Sequence, residues 1–432
     1  MKEEVAVHWF RRDLRWHDNH ALDKAFQSGY PVLPVFIFDR NILDDLPKND
    51  ARVHFIYNAL QEMMDKIEGK AFVVKHDTPE NAWSQLIKEY NIKAVFYNKD
   101  YEPYAKERDE KIHKLLDTSG IEIKTFKDHV IFEENEVLTA AGKPYTVFTP
   151  FKNNWLKGFE AQPIEVFSSE KKLNLLADGK ADRKHTPEFL GFQQTDIDFP
   201  KKTIRSKILT EYAEKRDYPA SEGTSRLGVH LRFGTISIRE LSAIAKEKSA
   251  TFLNELIWRD FYQSIIFHFP HVVNHSFKPD YDAIPWEKDE DLFQKWCAGK
   301  TGFPLVDAGM RELNESGYMH NRIRMLTASF LTKHLLQDWR KGEAYFAEKL
   351  LDFELASNNG GWQWAAGSGC DAAPYFRIFN PEIQLKKFDK NLEYVKKWVP
   401  EYDTANYPRP VIGHKAARER ALKVYKEALS KK

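Results

Sequence analysis

The hydrophobic period of this chain changes once, near residue 200, and that change restricts it to two different kinds of domain. Before it, short apolar runs rich in β-branched and aromatic residues stand at 5–10, 31–38, 71–75, 94–97 and 121–123. Segments with a 3.6-residue period, such as 51–67 and 79–90, lie between them. Strand and helix in alternation imply a parallel sheet flanked by helices. From Lys201 onward the helical period dominates, as at 253–267 and 319–336, and strand signals nearly vanish. The expected fold is therefore an α/β N-terminal domain over 1–130 followed by an all-α domain over 201–432. Between them, 131–200 mixes prolines, charges and short apolar runs and is expected to be a connector laid over a surface. The last stretch, 415–432, reads as a basic, solvated surface helix.

Several function classes fall away early. Cys297 and Cys370 are the two cysteines, too few for a disulfide framework or a cysteine-rich metal site. No metal is expected. No apolar run is long enough to span a bilayer, and the N-terminal residues lack a signal-peptide pattern, so the cytosol is the expected location. Net charge is +1, which denies a general polyanion-binding surface but not a local basic patch. No Gly-x-Gly-x-x-Gly follows the first strand, so a nicotinamide dinucleotide site there is unsupported.

The chemistry concentrates in the second half. Asn358-Asn359-Gly360-Gly361-Trp362-Gln363-Trp364 combines amides, glycines and indoles in a chain with 11 tryptophans. Glycines let backbone approach a flat ligand closely, and an amide both donates and accepts. That composition points to a buried redox-active ring system. Tyr212, followed by Thr224, Ser225, Arg226 and Leu227, offers hydroxyls and a guanidinium suited to a pyrophosphate, although Thr or Ser there would equally serve as a helix N-cap. Glu255 and Arg259 are four apart, which is enough for an ordinary intrahelical ion pair. Alternatively, Glu255 and Trp258 share one face and line a pocket for a flat base. Arg324 is expected to pair with Asp352, within a donor-rich run that also holds Asn321, Arg322 and Met325. Trp286, Trp339 and Trp362 are either core residues or a relay from solvent to a buried redox centre, and spacing alone does not choose.

These strings occur in an order that resembles the photolyase/cryptochrome flavoproteins over nearly the whole chain. Trp9-Phe10-Arg11-Arg12-Asp13-Leu14-Arg15 with Asp18-Asn19 resembles that family's first strand and turn, and 145–151 its interdomain segment. Glu222 to Leu227, Gly302 to Ala308 and Asn358 to Trp364 are closest to class I cyclobutane pyrimidine dimer photolyases.

The resemblance implies non-covalent FAD, active when reduced, in the helical domain. Tyr212, Thr224, Ser225, Arg226 and Leu227 would hold its phosphates and ribityl chain. Asn321, Arg324, Asp352, Glu354 and Asn358 would surround its ring, with Asn358 facing the flavin N5. The family motif has Asp where this chain has Glu354.

The substrate implied is UV-damaged DNA with a pyrimidine dimer flipped out of the duplex. Glu255 would hydrogen-bond the base edge, with Trp258, Trp364 and Met325 packed on the dimer. Arg216, Arg259, Arg322 and Arg377 would serve the phosphate backbone and the cavity rim. Trp362, Trp339 and Trp286 would relay electrons for photoreduction. A monomer is expected.

The rivals are a (6-4) photolyase, which carries histidine where Met325 stands, a cryptochrome that senses light without repair, and a bare FAD oxidoreductase. The N-terminal domain resembles the family's antenna domain, whose pocket would hold a folate, a deazaflavin or a flavin, or stay empty. Residues 101–109 lack the Asn-Glu pair of some folate-binding members and are nearer the deazaflavin pattern.

Overall fold

The computed structural model describes residues 3–430. Five short strands, β1 (Glu4–Phe10), β2 (Val32–Asp39), β3 (Val73–Asp77), β4 (Asn91–Asn98) and β5 (Glu122–Phe126), form one sheet in the order β3-β2-β1-β4-β5. All four pairings are parallel. The order reverses between β1 and β4, the kind of switch point at which open α/β sheets leave a crevice beyond the strand ends.

Both sheet faces are covered, which explains why β2 is apolar nearly throughout and shows no clean alternation. Val5, Val7 and Trp9 point to one face, with Trp83, Leu86, Ile112 and Leu116 from α2 (Pro79–Glu89) and α3 (Pro103–Thr118). Ala6 and Phe10 point to the other, with Val53, Leu60 and Met63 from α1 (Ala51–Met64). Each helix begins where the sequence allows it. Asp50 and Thr78 accept from the first-turn N–H groups of α1 and α2, and Pro79 occupies the first turn of α2.

The chain divides into two compact units that are discontinuous in sequence. The first takes the described residues to Glu136, with Leu156–Lys202 and Leu227–Glu247. The second takes Val137–Trp155, Thr203–Arg226 and the described residues from Lys248. The stretch 131–200, expected to be a connector, is thus shared between the units, and it contains the helix α4 (Phe148–Ala161).

The second unit is helical. Its strand-like content among the described residues is one isolated bridge, Glu287 to Gln337, apart from the Leu138–Pro144 bridge near its start. Its core is dominated by aromatics, including Trp296, Phe330, Trp339, Phe346 and Trp362. The period at 319–336 suggests one helix. The backbone instead runs as an α-helix over Asn321–Ser329 and then as a π-helical turn over Phe330–His334. Leu336 follows at φ +52°, and such wide turns often mark functional ground. The basic terminal helix is His414–Ser430; the last two residues of the expected tail lie outside the described residues.

Candidate active site

Three helices of the second unit each turn one stripe toward a cavity of about 380 Å³. On α5 (Ala250–His268) the stripe is Glu255, Trp258, Arg259 and Tyr262, at spacings of three and four residues. Those spacings put side chains on one helix face. On α7 (Asn321–Ser329) it is Asn321, Arg324, Met325 and Ala328. On α9 (Leu355–Ala366) it is Ser357, Asn358, Gly361 and Trp362, with Trp364 beyond. Arg216, Asp352 and Glu354 complete the polar wall. Between these helices lie α6 (Pro304–Ser316) and α8 (Trp339–Lys349), which carry much of the core.

The charges in this wall are paired. Arg324 donates through Nη2 to both carboxylate oxygens of Asp352, at 3.1 and 2.9 Å, and through Nε to the Met319 carbonyl at 2.7 Å. The intrahelical pair that the spacing of Glu255 and Arg259 allows does not form. Arg259 donates to the Glu354 Oε1 at 2.7 Å, while Glu255 pairs with Arg216. Partial burial raises the Glu255 carboxyl above the usual carboxylate range despite the Arg216 guanidinium. Glu354 also accepts from the Ser357 hydroxyl at 3.0 Å, so the longer acid is fully engaged on the wall. Trp258 stacks on Phe148 at 3.7 Å with rings 5° apart, which covers one of its faces.

Asn358 is held by a residue the sequence did not single out. Its Nδ2 donates to the Glu343 carbonyl at 3.1 Å and to the Glu343 Oε1 at 2.8 Å. The amide nitrogen is therefore spent on Glu343, and the amide oxygen is the end left for the cavity. Burial raises the Glu343 carboxyl. Nothing in a single glutamate on a helix signals such a role, because its partner is 15 residues away on another helix.

The expected phosphate-holding residues stand apart from this cavity lining. Thr224 and Tyr318 share a hydroxyl–hydroxyl bond of 3.1 Å. The Arg226 guanidinium lies 4.5 Å from the Tyr318 ring centre, with Arg226 at φ +53°. The Arg324 guanidinium also approaches that ring, at 5.8 Å. Tyr318, another residue missed in the sequence, thus touches both groups of expected ligands. Tyr212 packs edge-on against Phe252 at 5.1 Å. Neither Thr224 nor Ser225 caps a helix, because the next one, Gly228–Phe233, begins after Leu227 without a side-chain cap. Leu227 itself is buried and belongs to the first unit.

Other expected residues also lie outside the lining. Arg322 donates to Asp217 at 2.6 Å and covers Phe388. Arg377 is exposed, and its carbonyl accepts from Lys333 at 3.1 Å. Of the three relay candidates, Trp362 lines the cavity; Trp339 is buried in the core, and Trp286 is half-buried against Tyr425 at 6.0 Å. The indole N–H groups of all three lack hydrogen-bond partners. Trp362 meets Phe346 and Trp296 at 4.9 and 6.0 Å. Among the described residues no cluster of three or more His, Cys, Asp or Glu could hold a metal ion, and no helix is long and apolar enough to cross a membrane.

Two family descriptions match the chain, DNA photolyase over residues 6–169 and the FAD-binding domain of DNA photolyase over residues 252–406. The deoxyribodipyrimidine photo-lyase of Vibrio cholerae is 36% identical, covering 97% of this chain and 99% of its own. That of Synechococcus sp. is 34% identical, covering 97% and 96%. A bacterial class III photolyase from Agrobacterium tumefaciens superimposes with a TM-score of 0.87 at 32% identity, covering 99% of this chain and 98% of its own. An archaeal photolyase from Sulfolobus tokodaii, solved with two FAD molecules, gives 0.84 at 34% identity, covering 98% and 100%.

The lining fits a flavin on its own chemistry. A Cβ built on Gly361 meets nothing within 4 Å, so this helix face opens on free space where a ring can lie against backbone. The Asn358 amide oxygen and the Arg324 guanidinium supply an acceptor and a donor on that same wall.

Proposed function

Because the chain belongs to the photolyase/cryptochrome family and carries its FAD-binding domain, we propose that it repairs cyclobutane pyrimidine dimers in DNA under blue light. The observation that carries this reading is one cavity holding Glu255, Trp258, Met325 and Trp364 together with Asn321, Arg324, Asp352, Glu354 and Asn358. Residues expected to hold a damaged base and residues expected to hold a flavin ring share a single space.

Reduced FAD supplies the light absorption and the electron. The chain's own groups do the rest. Trp258 and Trp364 offer apolar ring surface to the flipped dimer, and Met325 packs against it. Glu255, kept neutral to higher pH than an exposed glutamate, holds a hydrogen bond to the base edge and restrains charge that develops there. Arg216 orients Glu255 and, with Arg322 and Arg377, meets the DNA backbone. Asp352 fixes Arg324 and Glu343 fixes Asn358, so the ring-facing groups need no reorganisation when light arrives. Tyr212, Thr224, Ser225, Arg226 and Leu227 hold the phosphates and ribityl chain, and Trp362, Trp339 and Trp286 bring electrons in for photoreduction. Met325 cannot transfer a proton as the histidine of a (6-4) enzyme would, which favours the cyclobutane substrate. The same proposal assigns an antenna chromophore to the first unit and DNA-damage repair to a monomer in the cytosol.

The test is direct. Reduced protein is illuminated with DNA carrying cyclobutane dimers and, separately, (6-4) products. Light-dependent loss of the cyclobutane dimers alone is expected. Loss of the (6-4) products, or of neither lesion by a flavin-loaded protein, would overturn the assignment.

A further inference from the structure

Lys333 stands in the π-helical turn Phe330–His334, where all five side chains are buried, and is itself 1% exposed. A lysine is almost never buried to that degree without an acid beside it. Among the described residues no acid pairs with this one. Its ammonium donates instead to a backbone carbonyl, that of Arg377, 44 residues on, at 3.1 Å. Replacing a buried ion by an apolar side chain of similar volume is often neutral or stabilising. Stability alone therefore does not account for a lysine at this place.

The carbonyl belongs to a segment with little else to hold it. Residues 372–379 contain no helix or strand. Their own backbone bonds, from the Arg377 N–H to the Pro374 carbonyl and from the Ile378 N–H to the Phe376 carbonyl, stay inside the segment. Among the described residues, the Lys333 bond is the one hydrogen bond that ties 372–379 to the rest of the chain. Tyr375 stacks on Tyr425 at 5.9 Å, and Phe379 packs on the helical core. Between these two rings stand Phe376, 61% exposed, and Arg377, also exposed. The Arg377 guanidinium makes no ion pair among the described residues.

The segment leaves directly from the cavity wall. Tyr262 and Trp364 line the main cavity, and they also line a small cleft with Gly369, Cys370, Asp371 and Ala372. An exposed ring and an unpaired guanidinium thus follow within a few residues of the space assigned to the damaged base.

We propose that Lys333 is a positioning residue for DNA binding, whose bond to the Arg377 carbonyl holds 372–379 in the shape that presents Phe376 and Arg377 to lesion-bearing DNA. The partner follows from the repair reading; the anchor does not depend on it. Without the bond the segment must be ordered when DNA arrives, so the cost falls on affinity and not on the light-driven step.

Lys333→Met nearly keeps the length of the side chain and removes its donor. In hydrogen exchange on the flavin-loaded proteins, the Arg377 and Ile378 amides of this variant should exchange about tenfold faster than those of the wild type. The dissociation constant for an oligonucleotide carrying a cyclobutane dimer, measured in the dark, should rise about tenfold. At saturating DNA, kcat should stay within about twofold of the wild type. The urea midpoint should be unchanged or higher. In a Phe376→Ala/Arg377→Ala background, Lys333→Met should cost no further affinity. Unmoved amides, or unmoved affinity, would overturn the proposal. So would further loss in the double-alanine background, which would make Lys333 a direct electrostatic contact. A urea midpoint that falls with affinity, or a variant that does not fold, would make Lys333 a structural residue and overturn it equally. Wild-type protein that binds dimer-bearing and undamaged DNA alike would count against the repair reading instead, and the exchange measurement would still decide the anchor.

Discussion

At the residue scale, the cavity shows how much depends on groups that never touch a ligand. Glu255 and Asn358 are the two side chains on which the repair reading leans most, and each is set by a partner on a different segment, Arg216 and Glu343. Glu255→Ala removes one charge-assisted hydrogen bond, worth about 1.5–3 kcal/mol. kcat/KM for dimer repair should fall roughly 10- to 100-fold while flavin content is unchanged; unaltered repair would refute the role given to Glu255. Glu343→Ala frees the Asn358 amide to turn its nitrogen toward the ring. The bound flavin should keep its stoichiometry but lose the persistence of its reduced form in air, about tenfold in lifetime, read from its visible absorption. An unchanged lifetime would show that Asn358 needs no such anchor.

At the scale of elements, close helix packing sets the cavity's walls. Gly342 of α8 lies where a Cβ would overlap the Trp362 ring and the Leu331 side chain. Gly360 of α9 lies equally close to the Tyr262 ring. Glycine is required at both for approach, since neither has an unusual backbone angle. Gly342→Ala should therefore lower stability by about 1–3 kcal/mol in a denaturant titration and displace Trp362 from the cavity wall. A neutral substitution would mean that α8 and α9 shift apart without cost. Element boundaries were legible where caps and prolines mark them, as at Asp50 and Pro79. They were not legible at 319–336, because a π-helical turn keeps an apolar helical pattern while changing the backbone.

At the scale of the whole molecule, buried histidines couple the fold to pH. Burial pushes His320 down to about 4 and His334 down to about 3. Both are neutral in the folded protein at neutral pH, whereas in the unfolded chain they titrate near 6.5. Between those values the unfolded chain binds more protons, so stability rises with pH there and is lost as pH falls from about 6.5 toward 4. Each site contributes a slope of about 1.4 kcal/mol per pH unit within its window. Urea unfolding midpoints measured across that range should fall accordingly, and His320→Asn should remove about half of the slope. Lys333, pushed down to about 7 by burial, acts in the same direction at higher pH, adding stability as pH rises from about 7 toward 10.5.

Period and local chemistry alone determined that this chain builds a parallel sheet and then a helical domain, because a two-residue and a 3.6-residue repeat are incompatible with each other's core. The resemblance of its strings to the photolyase/cryptochrome family, rather than period, placed Glu255, Trp258, Asn321, Arg324, Met325, Asp352, Glu354, Asn358, Trp362 and Trp364 as candidates. Only the tertiary structure decided who pairs with whom. Arg259 chose Glu354, 95 residues away, over Glu255 one turn away; Glu343 and Phe148 entered the site from other segments, and Tyr318 found Thr224, 94 residues away. The reason is physical. Helical spacing dictates which side chains share a face, but the neighbour across that face is selected by packing between helices, and no local pattern encodes it.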